Sequence, residues 1–183
     1  YSIVGTKSNE MIKVINNKII YINEDEINEI ESNDPLEWIE NFYTENQVCN
    51  LPVDVPFSGG LVGYFGYETI GFIEKKIDIN KKDTLNVPDI FLFVCNEIIV
   101  FDNLKKCVHI IINSKTDRED SYEKTISRIE EIEILINKLN VGLNNEVINE
   151  GKILLKKRED QVIYNLISLA FMNNSEYDKS IEL

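Results

Sequence analysis

The chain has little of several residue types that mark specialised proteins. Its 183 residues include 3 cysteines, Cys49, Cys95 and Cys107, and no two of them have the Cys-x-x-Cys spacing of a zinc or dithiol motif. Its 1 histidine, His109, excludes a histidine-rich metal site. No apolar run approaches the ~20 residues that a membrane-spanning helix needs. We therefore expect no membrane partner. The three cysteines are scattered and odd in number, which favours free thiols in a reducing, cytoplasmic compartment.

Basic residues are scarce relative to acidic ones. The chain holds 19 Lys and Arg against 32 Asp and Glu, which gives a net charge of -13. Nucleic acids and anionic membranes both attract basic surfaces, so we expect neither as a partner. The same acidity disfavours a complete site for an anionic small molecule, unless its basic ligands lie outside this chain.

Glycine is concentrated in one place, the glycine stretch at residues 56–68, which reads Pro-Phe-Ser-Gly-Gly-Leu-Val-Gly-Tyr-Phe-Gly-Tyr-Glu. Glycine removes side-chain bulk and lets a neighbouring backbone approach closely. The spacings of a dinucleotide fingerprint and of a P-loop are both absent. We interpret the stretch as a buried strand, with Gly63 and Gly66 packed under a neighbouring element. A ligand-cradling loop is the alternative.

Hydrophobic periodicity predicts an α+β fold, with a mostly antiparallel sheet and helices packed on its outer face. The predicted sheet carries both the glycine stretch and the strands between residues 90 and 112. Strands of β-branched and aromatic residues are expected at 1–4, 11–15, 18–22, 90–95, 97–101 and 107–112. An Asn16-Asn17 turn joins the second strand to the third.

Four helices are predicted from capping signals and from apolar residues at helical spacing. Asp34 and Pro35 begin a helix that runs to about Glu45, and the other helices lie at 67–75, 117–140 and 160–171. Three further segments have weaker patterns. They are a loop or a frayed helical turn at 23–33, short strands at Val147-Ile148 and 153–155, and a helix N-cap at Asn174-Ser175.

The glycine stretch resembles the G-G-x-x-G-Y-x-G-Y-[DE] motif of the chorismate-utilising enzymes, and in particular of component I of anthranilate synthase. Seven residues match this motif: Gly59, Gly60, Gly63, Tyr64, Gly66, Tyr67 and Glu68. Further segments follow the order of the same family. They are Tyr1–Gly5, similar to its R-Y-S-F-I-G strand, Pro88-Asp89, Val100–Asn103, similar to its V-F-D-H, and Asn174–Ile181.

The resemblance implies a division of the chain. Residues 1–140 would form the N-terminal, regulatory domain, 141–173 a linker and a helix, and 174–183 the start of the helix that opens the catalytic core. The parent enzyme would be a lyase that adds ammonia to chorismate and eliminates pyruvate. It would use Mg²⁺, and ammonia from a glutamine amidotransferase subunit, component II. The family's catalytic and metal-binding groups lie in the core, so we expect no catalytic residue, metal ligand or cofactor here and an inactive isolated chain.

Tyr1 and Ser2 carry the resemblance to the family's inhibitor site, because that strand borders the pocket for tryptophan. Ser2 would hydrogen-bond near the charged end of the inhibitor, or would serve only as a strand serine bonded to backbone. Tyr64 and Tyr67 would stack near the same pocket or, as we favour, pack in the core. The other walls of the pocket are missing from this sequence, so we expect the isolated chain to bind tryptophan weakly.

Other functions are compatible with the sequence. The product could be aminodeoxychorismate instead of anthranilate, and a stand-alone ligand-binding or scaffolding domain is a third hypothesis.

Cys107 and His109 alternate on one strand face, as a Cys–His nucleophile pair would require. We interpret them as packing residues, because no acid is expected nearby to orient the histidine. Asp89 and Asp102 flank strands and are interpreted as turn residues.

Overall fold

The computed structural model describes residues 1–5, 8–24, 26–47, 54–74, 76–77, 87–115 and 120–181. The predictions for Cys49, Lys75 and residues 117–119 lie outside these residues. In the described part of the chain, every helix is too short or too polar to cross a membrane.

Eight strands and six helices follow one another along the described residues. The strands are β1 (Ser2–Gly5), β2 (Glu10–Ile15), β3 (Lys18–Asn23), β4 (Glu26–Glu31), β5 (Gly60–Phe65), β6 (Ile90–Cys95), β7 (Glu97–Asp102) and β8 (Cys107–Ile112). The helices are α1 (Pro35–Glu45), α2 (Ile70–Ile73), α3 (Ser121–Asn140), α4 (Asn144–Leu155), α5 (Gln161–Asn173) and α6 (Tyr177–Ile181), and a 3-10 turn at Tyr67–Thr69 precedes α2. The strands predicted within residues 1–22 and 90–112, the asparagine hairpin and the four predicted helices are confirmed.

These elements form two compact units. The terminal unit comprises Tyr1–Lys7 and Glu97–Leu183, and the central unit comprises Ser8–Asn96. Each unit has its own antiparallel sheet and its own cluster of buried apolar side chains, which confirms the α+β class. The expectation of a single sheet is wrong, because the chain leaves one sheet at Cys95 and enters the other at Glu97.

The central unit is built on a five-stranded sheet of order β4-β3-β2-β6-β5. In β2, the buried residues Glu10, Ile12 and Val14 alternate with half-buried ones, as the period of a strand with one core-facing side requires. Helix α1 contributes to the same core. The buried members of this core are Ile12, Val14, Ile19, Ile39, Ile90 and Leu92.

Helix α1 begins where the sequence predicts. The Asp34 carboxylate accepts a hydrogen bond from the backbone N–H of Glu37 at 3.0 Å, which satisfies one of the free amides of the first turn. Trp38 and Phe42 stack with ring centroids 5.5 Å apart, and Tyr21 of β3 lies 5.4 Å from Phe42. This aromatic group joins the helix to the sheet.

A buried carboxylate lies in the central unit at a position that the sequence pattern assigns to the core. Glu10 is 8% exposed and accepts hydrogen bonds from the Tyr21 hydroxyl and, at 3.3 Å, from Asn96 Nδ2. Burial, and then the hydrogen bond to Glu10, raise the pKa of Tyr21 above its usual value. The phenol therefore stays protonated and acts as the donor that makes burial of Glu10 tolerable.

The loop or frayed helical turn predicted at 23–33 is wrong, because Glu26–Glu31 forms β4 at the edge of the central sheet. Four glutamate and asparagine side chains face water there, and this polarity made the segment look like a loop. Ile27 and Ile30 were the only residues of this segment that could have indicated a strand. Ile30 packs against the core, while Ile27 is 64% exposed.

The terminal unit has a three-stranded sheet of order β1-β7-β8, and α3, α4 and α5 share a core with it. The short strands predicted at 147–155 are wrong, since the segment forms α4. Val147, Ile148 and Gly151 are its buried residues and follow helical spacing. A Cβ atom on Gly151 would lie 2.6 Å from Ile167 Cγ1, so the glycine lets α4 and α5 approach closely.

Helix α5 ends in a Schellman motif. The N–H of Glu176 donates to the carbonyl of Phe171 and that of Ser175 to Met172, both at 2.9 Å. Asn174 is the C-cap, and Ser175 has a left-handed φ of 63°. The N-cap predicted at Asn174-Ser175 is therefore wrong, because these residues satisfy the end of the preceding helix.

One buried ion network links three elements of the terminal unit. Arg128 of α3 is 14% exposed and donates to Glu97 of β7 at 2.7 and 2.9 Å and to Glu131 at 2.6 Å. It also contacts Asp160 at 2.8 Å. Burial opposes the charged form, but the hydrogen bonds to Glu97 and the neighbouring acids raise the pKa of Arg128 above its usual value. Asp160 also caps α5, because it accepts hydrogen bonds from the N–H groups of Val162 and Ile163.

Replacing Arg128 with Met should destabilise the terminal unit strongly. The substitution keeps an apolar stem but leaves Glu97, Glu131 and Asp160 close together without their shared cation. We expect a loss of about 3 kcal/mol in the free energy of unfolding, measured by urea titration with circular dichroism. Arg158→Met is the matched control, because Arg158 binds Glu131 and Asp160 but is 50% exposed. It should cost less than about 1 kcal/mol, and equal losses in the two variants would contradict the role given to Arg128.

Candidate functional site

The glycine stretch forms β5, at the edge of the central sheet. Gly63 lies opposite Leu92 of β6, and a Cβ atom on it would stand 1.9 Å from the carbonyl oxygen of Phe91. A Cβ on Gly66 would stand 2.9 Å from the carbonyl oxygen of Asp89, which also accepts a hydrogen bond from the Gly66 N–H at 2.6 Å. The predicted close approach of a neighbouring backbone is confirmed. The predicted burial is wrong, because Gly63 is exposed and Gly66 only half-buried on this edge strand.

The start of the stretch needs glycine for another reason. Gly59 and Gly60 have φ values of 131° and 126°, which side chains of L-residues rarely tolerate. The prediction that Tyr64 and Tyr67 pack in the core is wrong. Tyr64 is 41% exposed and donates its hydroxyl to the Pro88 carbonyl at 3.1 Å, and Tyr67 is 82% exposed. Their place in a tryptophan pocket stays a prediction.

Apolar side chains are exposed on and beside this strand. Val62, Phe65 and Tyr67 are 45%, 53% and 82% exposed, and Ile73 at the end of α2 is 69% exposed. The outer backbone of an edge strand also offers unpaired hydrogen-bonding groups. Several exposed apolar side chains beside the outer edge of a sheet are typical of a region that another part of a protein covers.

Tyr1 and Ser2 lie at the start of the terminal unit, so the structure places them in a different unit from the glycine stretch. Ser2 pairs with Phe101 across β1 and β7, and its hydroxyl accepts a hydrogen bond from Asn103 Nδ2 at 3.3 Å. Tyr1 is 58% exposed. The Ser2 hydroxyl therefore meets a side-chain amide, and its role at an inhibitor pocket stays a prediction.

The two aspartates interpreted as turn residues are confirmed in that role. The Asp89 carboxylate accepts a hydrogen bond from the Asn16 N–H at 2.6 Å. Asp102 Oδ1 accepts hydrogen bonds from the N–H groups of Lys105 and Leu104, at 2.9 and 3.1 Å. Asp102 thus shapes the turn between β7 and β8.

Asp102 is 2% exposed, and its environment favours the charged carboxylate. The backbone N–H of Lys105 lowers the pKa of Asp102, burial opposes this, and Leu104, the Lys105 ammonium and Tyr1 add to the lowering. Among the described residues, no donor lies at hydrogen-bond distance from Oδ2, and Lys105 Nζ lies 3.7 Å from it.

The same turn gathers three residues with reactive or metal-binding side chains. Asp102 lies opposite Cys107 in the β7–β8 pairing, and His109 follows on the same face of β8. Cys107 Sγ is 3.4 Å from His109 Nε2, and one ligand atom from each of the three residues lies within 4.8 Å of the others. The expectation that no acid lies near Cys107 and His109 is wrong. The spacing Asp-x₄-Cys-x-His across a hairpin was the signal that could have found this cluster.

Comparisons with known proteins relate the chain to one enzyme component. It is 36% identical over 134 residues to anthranilate synthase component 1 of Pseudomonas aeruginosa, which covers 72% of the chain and 27% of that relative. It is 34% identical over 136 residues to the Neisseria meningitidis protein of the same name, covering 72% and 28%. It is 32% identical over 179 residues to the Acetivibrio thermocellus protein, covering 95% and 35%.

A solved structure gives the same relation. The crystal structure of anthranilate synthase component I from Streptococcus pneumoniae matches with a TM-score of 0.54 and 26% identity, over 71% of this chain and 28% of that one. No protein-family model matches the chain. The resemblance found in the sequence is thus confirmed, and the chain spans about a quarter of the length of the first relatives.

Gly63→Val tests the close approach at β5. The new side chain would meet the backbone of β6, which cannot move without breaking the sheet pairing, so we expect a loss of about 1–3 kcal/mol. Trp38, the 1 tryptophan of the chain, lies in the central unit and reports its unfolding by fluorescence. The exposed neighbour Val62→Thr is the control and should stay within about 0.5 kcal/mol of the parent. An unchanged midpoint for Gly63→Val would refute the packing.

Asp102→Asn tests the charge at the β7–β8 turn through its pH dependence. The amide keeps an oxygen for the turn N–H groups but removes the negative charge. Because the folded pKa of Asp102 is lowered, its contribution to stability is present above the unfolded pKa of ~3.9 and is lost as pH falls through the folded pKa. The variant should therefore unfold more easily than the parent at pH 7, and the difference should shrink in acid. Thermal melts from pH 7 to pH 2 measure this, and a difference that does not change with pH would exclude the charge as its cause.

Proposed function

We propose that this chain is the N-terminal, regulatory part of an anthranilate synthase component I, a lyase that forms anthranilate and pyruvate from chorismate and ammonia. One observation carries the proposal. Relatives that share this name are 32% to 36% identical to the chain over as many as 179 residues. The fold agrees with it, because the S. pneumoniae enzyme matches over 71% of the chain.

In this proposal the chemistry resides in the part of the enzyme outside the match. The matched segment is only 27% of the P. aeruginosa protein. Mg²⁺, chorismate and the groups that protonate it would be bound by the remainder of component I. The name component 1 itself implies a further component, which we propose is the glutamine amidotransferase subunit that supplies ammonia. The division of the chain at residues 140 and 173 stays part of this proposal.

The exposed edge of the central unit supports the view that a larger protein covers it. Val62, Phe65 and Tyr67 expose apolar surface beside β5, whose backbone pairs only with β6 among the described residues. We propose that the remainder of component I packs against this edge. The close packing of β5 on β6 at Gly63 is consistent with β5 as a fixed docking surface for the remainder of component I.

Regulation by tryptophan is part of the same proposal. The hydroxyl of Ser2 is at the surface of the terminal unit, held by Asn103, where it could meet a small ligand from one side. A zwitterion binds tightly only when both of its charged ends meet fixed partners and its ring is enclosed. The isolated chain should therefore bind tryptophan weakly, and the complete enzyme should bind it more tightly.

A chimera tests the assignment. We would replace the matched 134-residue segment of the P. aeruginosa protein with the matching part of this chain and measure anthranilate fluorescence with chorismate, Mg²⁺ and ammonia. We expect at least about tenfold more activity than in the same protein with the segment deleted, because the transplanted sheet restores the support of the core. The isolated chain should give no anthranilate in the same assay.

Two outcomes would contradict the proposal. A folded, soluble chimera that is no more active than the deletion protein would show that the chain cannot serve as this part of the enzyme. Anthranilate formed by the isolated chain would show that catalytic groups lie within it. A Gly63→Val chimera serves as a matched variant, since it should lose activity in proportion to its loss of folded protein.

A further inference from the structure

We propose that Asp102, Cys107 and His109 form a binding site for a thiolate-preferring divalent metal ion, with Zn²⁺ as the ion that fits best. All three residues belong to the terminal unit and lie at one end of the β7–β8 hairpin. The site is separate from the Mg²⁺ chemistry proposed for the enzyme and does not depend on that proposal.

The hairpin supplies the geometry. Asp102 and Cys107 are paired residues at the turn, so their side chains emerge side by side on one face of the sheet. His109 is two residues further along β8 and emerges on that same face. One ligand atom from each residue lies within 4.8 Å of the others without any rearrangement of the backbone.

The donor set selects the metal. One sulfur, one imidazole nitrogen and one carboxylate oxygen suit tetrahedral Zn²⁺ with an open fourth position, whereas Mg²⁺ and Ca²⁺ prefer oxygen ligands alone. Zinc bonds of ordinary length place a sulfur and a nitrogen ligand about 3.5 Å apart at the tetrahedral angle. Cys107 Sγ and His109 Nε2 are 3.4 Å apart.

The buried carboxylate gives an independent reason for a cation. Asp102 is 2% exposed, yet among the described residues no donor lies at hydrogen-bond distance from Oδ2, although buried polar atoms are nearly always partnered. The Lys105 ammonium is 3.7 Å from Oδ2, on a side chain that is 61% exposed. Oδ1 is held by two backbone N–H groups, so the carboxylate is already oriented and Oδ2 is left for a ligand.

A Cys–His–Asp nucleophile is the competing use of these residues. Such a triad needs the acid to orient the histidine through a hydrogen bond. Among the described hydrogen bonds, His109 meets Cys107, and Asp102 bonds to the turn backbone instead. Three metal-binding side chains therefore converge without a described hydrogen bond between the acid and the histidine. This arrangement favours coordination of a metal ion over nucleophilic catalysis.

Zinc titration of the 183-residue chain, reduced with a phosphine, tests the site. We expect one Zn²⁺ per chain with a Kd of about 1 micromolar or tighter, and no displacement by millimolar Mg²⁺. Cys107→Ser and His109→Gln should each weaken binding at least about tenfold, and Lys105→Ala should strengthen it by removing a competing cation. Cys95→Ser is the matched control, because Cys95 is a free cysteine of the central unit, and it should bind as the parent does.

Two measurements keep the test decisive if a variant folds poorly. Co²⁺ bound to the parent chain should show tetrahedral visible bands and a thiolate charge-transfer band, and Zn²⁺ should slow alkylation of Cys107 as detected by peptide mass. Failure of the parent chain to bind zinc at tens of micromolar would overturn the proposal. Unchanged affinity in folded Cys107→Ser and His109→Gln, or an equal loss in Cys95→Ser, would do so as well.

Discussion

The arrangement of the terminal unit depends on a single guanidinium, that of Arg128. Glu97 comes from the sheet, Glu131 from the same helix and Asp160 from the start of α5, and all three meet this cation. Charges withdrawn from water in this way must be paired, so α3 can take only a position that brings Arg128 to these acids. Asp160 extends the constraint because it also begins α5, which carries much of the apolar core.

Most of the elements could be predicted from the sequence because their signals are local. The Asp34 cap, the asparagine hairpin and the apolar stripe of α3 each lie within a few residues of the structure that they specify. The failures concern partners that are distant in sequence. β4 is polar because it is an edge, α4 is helical because its buried face meets α5, and the change of sheet at Asn96 has no local mark.

The candidate sites divide in the same way. Close approach at Gly63 follows from glycine itself, whereas burial depends on whether another element lies beyond the strand, which the sequence of the strand does not encode. The Asp102–Cys107–His109 cluster could be predicted only with the register of β7 against β8, because that register places Asp102 opposite Cys107. The Arg128 network requires three separate elements and could not have been found from spacing. Glu10, in a core-facing position, was visible only as a break in an apolar pattern.

The two edges of the central sheet differ in a way that limits self-association. At one edge β4 presents Glu26, Glu29 and Glu31, of which Glu29 pairs with Lys18 of β3, so the β4 strand of a second copy would bring like charges together. At the other edge β5 is apolar and glycine-rich. Copies of the chain that join through β5 would leave the acidic β4 edge of each central sheet facing outwards. Growth through the central sheet then stops at a closed pair, because the acidic strand disfavours a further strand at that edge.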